Sequence, residues 1–71
     1  MITIELSGTT YYVESPYFFD FEDVKQELKE LGINKHVKTS EYGFNFESKE
    51  LDEITKRNLY DALCNCTLFG F

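Results

Sequence analysis

Asp20-Phe21-Glu22-Asp23-Val24-Lys25-Gln26-Glu27-Leu28-Lys29-Glu30-Leu31-Gly32 carries its apolar residues at 21, 24, 28 and 31, in steps of three, four and three. That spacing lays them along one stripe of an α-helix, with Glu22, Asp23, Lys25, Glu27, Lys29 and Glu30 on the opposite side. Asp20 is a suitable N-cap, and Asp23 falls in the first turn, where exposed N–H groups favour negative charge. Gly32 stops the helix by taking the left-handed conformation, which lets Ile33 fold back onto Leu28 in a Schellman cap.

On both sides of this segment the period changes from 3.6 to two. Upstream, Ile2, Ile4 and Leu6 alternate with Thr3 and Glu5 as a strand with one apolar face. Ser7-Gly8-Thr9 offers a tight turn, and Thr10 to Glu14 returns as a second strand. Pro16 has no N–H and biases Ser15 away from helix, so pairing ends there. Downstream, Val37 to Thr39 and Gly43 to Glu47 read as a second hairpin around Ser40-Glu41-Tyr42, with Phe44 and Phe46 on one face. A second helix follows with Ser48 as its N-cap, and Leu51, Ile54, Leu59, Ala62, Leu63 and Cys66 fall within a half-circle. Asp52 at the edge of that half-circle is its one misfit. The ending Thr67-Leu68-Phe69-Gly70-Phe71 suits a final strand, an anchor on the core or a docking tail.

The expected fold is therefore α+β, in the order β-β-α-β-β-α, with two helices packed on one face of a mostly antiparallel sheet. Both halves share the order strand, strand, helix, but no residue pattern repeats between them.

With 71 residues and 42% apolar content, the chain has interior for one core and one domain, residues 1–71. Burial of roughly 1.5 to 3 kcal/mol per large apolar side chain nearly cancels against an ordering cost of about 1.5 kcal/mol per residue. Most large apolar groups must then go inside, and a catalytic cavity of roughly 300 Å³ or more would take a large share of that core. Catalysis is not expected.

Net charge is −6, which repels phosphate backbones and anionic bilayers, so neither free nucleic acid nor a membrane is an expected partner. The excess is localised. Residues 1–24 contain Glu5, Glu14, Asp20, Glu22 and Asp23 and no Lys or Arg, while the rest of the chain holds eight acids against seven bases. Six of the twelve aromatics, Tyr11, Tyr12, Tyr17, Phe18, Phe19 and Phe21, lie in the same acidic third.

Two cysteines, Cys64 and Cys66, are too few and too close for a secreted disulfide framework. Together with the lack of a signal-peptide pattern and of any apolar run of roughly 18 residues, this points to a cytoplasmic protein. Asn65-Cys66-Thr67 then matches the glycosylation pattern by chance. The nitrogen and sulfur ligands available to a metal are His36, Cys64 and Cys66, and on a helix the two thiols point roughly 200° apart. No cofactor or metal is expected. A lone histidine supplies no triad, and adjacent acids such as Glu22 and Asp23 or Asp52 and Glu53 do not converge on one atom. Glu41-Tyr42-Gly43-Phe44-Asn45-Phe46 faintly resembles the aromatic strand of an RNA-recognition motif, but acidic Glu41 stands where a basic residue belongs, and core packing explains Phe44 and Phe46 better.

What remains is the acidic, aromatic third. Tyr11 and Tyr12 point to opposite faces of a strand, and Tyr17, Phe18 and Phe19 cannot all point inward, so some rings face water beside carboxylates. Such a surface suits a basic groove on a larger protein. The candidate partner-binding residues are Tyr12, Glu14, Tyr17, Asp20, Glu22 and Asp23. In size, acidity and lack of catalytic motifs the chain resembles the proteins by which bacteriophages disable host defences, including anti-CRISPR and DNA-mimic proteins. That resemblance implies a stoichiometric inhibitor of a nucleic-acid-handling protein, acting in the host cytoplasm. The alternative is a self-associating module, a homodimer built through the apolar tail residues Leu68, Phe69 and Phe71.

Overall fold

The computed structural model describes residues 2–68. Two hairpins each lead into a helix: β1 (Thr3–Ser7), β2 (Thr10–Glu14), α1 (Phe21–Glu30), β3 (His36–Ser40), β4 (Gly43–Glu47) and α2 (Glu53–Asn65). The strands form one antiparallel sheet in the order β1-β2-β4-β3. Its centre is the β2–β4 pair because these strands carry the largest apolar groups. Tyr11 lies opposite Phe46 and Val13 opposite Phe44, and all four are buried. The polar strands β1 and β3 take the edges.

Both helices cover the face that Tyr11, Val13, Phe44 and Phe46 share. Val24 and Leu28 from α1 and Leu59 and Leu63 from α2 meet these rings in the core, each contributing about 1.5 to 3 kcal/mol of burial. Phe21 of α1 packs against Phe44 and lies under the Lys38 ammonium, whereas Ile54, Arg57 and Tyr60 of α2 border Ile2 and Ile4. Thus α1 lies toward β3 and β4, and α2 toward β1. Among the described residues no helix packs on the other face of the sheet.

The local signals act as anticipated in α1. Asp20 caps it through Glu22 N–H at 3.2 Å, and Gly32 takes φ +77°. Ile33 N–H bonds to Leu28 O and Gly32 N–H to Lys29 O, the two bonds of a Schellman motif. Leu31 is the C-cap residue and over a third of it is exposed, so the buried stripe ends at Leu28.

Three expectations change. β1 begins at Thr3, not Ile2, and its apolar face is only partly covered, with Leu6 40% exposed. The α2 cap is Asp52, not Ser48: its Oδ1 accepts from Thr55 N–H at 2.7 Å, which removes Asp52 from the apolar half-circle where it was a misfit. Ile54, one residue inside the shortened helix, is 75% exposed instead of buried. After α2, Thr67 forms a single antiparallel bridge with Phe19, while Phe69, Gly70 and Phe71 of the apolar ending lie outside the described residues. Among the described residues no helix is long and apolar enough to cross a membrane.

Candidate protein-binding surface

Strand alternation sends Tyr11 and Val13 into the core and Thr10, Tyr12 and Glu14 to the uncovered face. Tyr12 lies in the middle of that face, opposite Glu5 on β1 and Asn45 on β4, and is 46% exposed. Carboxylates surround it in the ladder: Glu5 directly across, Glu14 two residues along the same strand, and Glu47 opposite Thr10.

From Glu14 the chain turns the corner of the sheet. Ser15 N–H donates to Tyr42 O at 2.8 Å, and the Ser15 hydroxyl accepts from Tyr17 N–H at 3.0 Å. Phe19 N–H then bonds to Glu41 O, so this segment lies along the β3–β4 turn. Asp20 N–H bonds to Cys66 O and Leu68 N–H to Phe18 O, which brings the end of α2 to its other side. Phe19 is clamped into the core between Phe21 and Phe44, and its neighbours turn outward. Phe18 meets Tyr42 with ring centroids 4.8 Å apart, 37% and 47% exposed, and Tyr17 and Leu68 are exposed beside the same segment.

Of the six predicted residues, Tyr12 and Glu14 thus stand on the uncovered sheet face, Tyr17 in the connecting corner, and Asp20, Glu22 and Asp23 at the start of α1, which packs on the opposite face. Glu22 and Asp23 are exposed. Asp20 is half-buried and already engaged as the helix cap. Two surfaces therefore replace the single one that the sequence suggests, joined through residues 14–17. Phe18, Tyr42 and Glu41 belong to the corner as well. The exposed turn position of Tyr42 is visible in the hairpin pattern, but its contact with Phe18 depends on strand order and is not.

The charge asymmetry survives folding. Among the described residues the ion pairs are Lys35–Glu47, Lys38–Glu41 and Lys56–Glu53, and every acid in them lies beyond residue 24. Glu5, Glu14, Asp20, Glu22 and Asp23 have no cationic nitrogen within 4 Å among those residues, so the local charge of −5 is not offset by direct pairing.

The Cys66 thiol offers little chemistry. Burial pushes the Cys66 thiol up to about 11, reinforced by the nearby carboxylates of Glu27, Asp23 and Asp20. Such a thiol stays protonated and unreactive near neutrality. No group of three or more His, Cys, Asp or Glu able to hold a metal ion occurs among the described residues. Against known proteins, no family matches this chain, and neither a curated protein nor a solved structure matches it.

Proposed function

We propose that this protein is a small acidic binding module of the cytoplasm that inhibits or regulates a larger protein by occupying a basic, nucleic-acid-handling surface. The observation that carries this reading is the set of exposed rings, Tyr12, Tyr17, Phe18 and Tyr42, with Tyr12 beside Glu5 and Glu14, two carboxylates in no ion pair among the described residues. Exposed aromatics in a domain with so little apolar surface to spare carry a stability cost that a partner would repay. Carboxylates supply the long-range attraction and the phosphate-like charge; at a Debye length of about 8 Å they steer but do not hold. The rings hold, because they are the groups that lose water on contact.

Inhibition follows by competition: a partner occupied by this surface has its basic groove closed to nucleic acid. The test immobilises the full chain, passes a nuclease-treated bacterial lysate over it, and elutes with a double-stranded DNA oligomer. A basic protein retained at one-to-one stoichiometry, released by the DNA and lost with the double variant Glu22→Lys/Asp23→Lys or with Phe18→Ala/Tyr42→Ala, supports the reading. Retention that ignores the competitor and both variants overturns it.

A further inference from the structure

Every open sheet has two edges, and this one treats them differently. Along β3 the register shifts at a bulge between Lys38 and Ser40, and the edge carries Lys35 and Lys38. Bulges and edge lysines are the usual devices that keep a strand from pairing with another chain. β1 has neither: five consecutive pairs with β2 run without a shift, and its one charge is Glu5. Beside it, on the helix side, half-buried Ile4, Leu6 at 40% exposure and Ile54 at 75% form an apolar border. Ile2, Ile4, Ile54 and Tyr60 line an open groove of about 670 Å³ there, together with the charged side chains of Glu53, Lys56 and Arg57.

The direction of the β1 backbone groups can be derived. Ser15 N–H donates to Tyr42 O and Ser48 N–H to Thr9 O, which extends the β2–β4 ladder at both ends. Residues 9, 11, 13 and 15 therefore turn their backbone groups toward β4, and the alternating residues 10, 12 and 14 turn theirs toward β1. Their partners Ser7, Glu5 and Thr3 face back. Ile4 and Leu6 present N–H and C=O outward, on the edge where, among the described residues, the sheet order provides no strand.

A strand added by a second copy must run antiparallel about a two-fold axis perpendicular to the sheet, which sets few registers. Centring on Glu5 puts two carboxylates in the close, non-hydrogen-bonded position and is repulsive. Centring on Leu6 sets Ile4 against Gly8, which has no side chain to offer. Centring on Ile4 sets Ile4 against its own copy, Leu6 against Ile2 and Thr3 against Glu5. The outward backbone groups of Ile4 and Leu6 then find partners, apolar meets apolar on the helix side, and a hydroxyl meets each carboxylate on the other.

We infer that β1 is the pairing edge of a two-fold homodimer in which Ile4 lies on the axis, giving one eight-stranded antiparallel sheet with all four helices on one face. α2 borders this edge, so the two copies of Ile54 come together over the joint. The dimer goes beyond the binding reading and leaves the corner of Phe18 and Tyr42 uncovered.

Sedimentation equilibrium of the full chain over roughly 1 to 500 μM, together with amide hydrogen exchange at both ends of that range, tests it. The expected result is a monomer–dimer equilibrium weakened about tenfold or more by Leu6→Lys and by Ile54→Lys. Both positions are exposed, and unchanged circular dichroism establishes that the variants fold. The Ile4 and Leu6 amides gain protection as the dimer fills, while the Glu5 amide is protected throughout. A chain that stays monomeric at the highest concentration overturns the inference, as does a dimer that ignores both variants or leaves the Ile4 and Leu6 amides exchanging freely.

Discussion

The hydroxyl of Tyr11 accepts a hydrogen bond from Leu51 N–H at 2.8 Å, linking the centre of the sheet to the approach to α2. The Tyr11 ring stacks on Phe46 with centroids 5.1 Å apart and is buried, so the phenol does two separate jobs, filling the core and holding a loop. Tyr11→Phe keeps the first and removes the second. Leaving the part-buried Leu51 N–H without its acceptor should cost about 1 to 2 kcal/mol. A lower urea midpoint with an unchanged slope is the expected measurement; an unchanged midpoint would show that water replaces the phenol at no cost.

Gly43 and Gly32 resist substitution for different reasons. A Cβ on Gly43 would lie 2.6 Å from the Val13 carbonyl oxygen, a backbone atom of the central ladder that cannot swing aside. At Gly32 nothing lies within 4 Å and the obstacle is φ +77° alone. Gly32→Ala should therefore cost about 1 kcal/mol, the usual penalty for a side chain in the left-handed region. Gly43→Ala forces β2 and β4 apart and should cost more, in the 1 to 3 kcal/mol range of overpacking. Thermal melts of the two variants give the order, and equal losses would contradict the contact at Val13.

Cys66 makes stability depend on alkaline pH in a definite direction. Its folded-state ionisation is raised from the ordinary 9.0 to about 11, so the unfolded chain loses the proton first. The associated stability is complete below pH 9 and falls away as pH rises toward 11. Denaturant titrations at pH 8, 9.5 and 10.5 should show this loss in the wild type and a smaller one in Cys66→Ala. At pH 8 the Cys66 thiol stays protonated. Iodoacetamide should therefore label half-buried Cys64 first, and faster labelling of Cys66 would refute its burial.

Features carried by neighbouring residues were legible in the sequence: the Asp20 cap, the Gly32 stop, the Gly8 turn and the alternation of Tyr11, Tyr12 and Val13 each depend on a few adjacent positions. Ser48 and Asp52 show the limit of such signals. Both are good cap residues, but the helix begins after Asp52, which leaves Leu51 ahead of it and Ile54 on its exposed side. The placement of β2 against β4, and with it the meeting of Phe18 and Tyr42, rests on pairing between distant segments that no local pattern encodes. The candidate site is visible in the sequence only as an acidic, ring-rich third of the chain; its division between a sheet face and a corner follows from α1 crossing to the other side.

Asp20 is the residue at which helix capping and partner binding can be separated. Its carboxylate holds Glu22 N–H at 3.2 Å and also belongs to the unpaired acidic group at the start of α1. Asparagine caps a helix about as well as aspartate, whereas alanine does not, at a cost of roughly 0.5 to 2 kcal/mol. Asp20→Asn should therefore unfold close to the wild-type midpoint, displaced only by the few tenths of a kcal/mol that a charge contributes at a helix N-terminus. Asp20→Ala should unfold earlier. If the carboxylate also takes part in docking, both variants weaken partner retention to a similar degree, and the deficit shrinks as salt is raised, because screening removes what the charge supplied. Retention that follows the melting order, intact in Asp20→Asn and reduced in Asp20→Ala, would assign Asp20 to the helix alone and leave docking charge to Glu22 and Asp23.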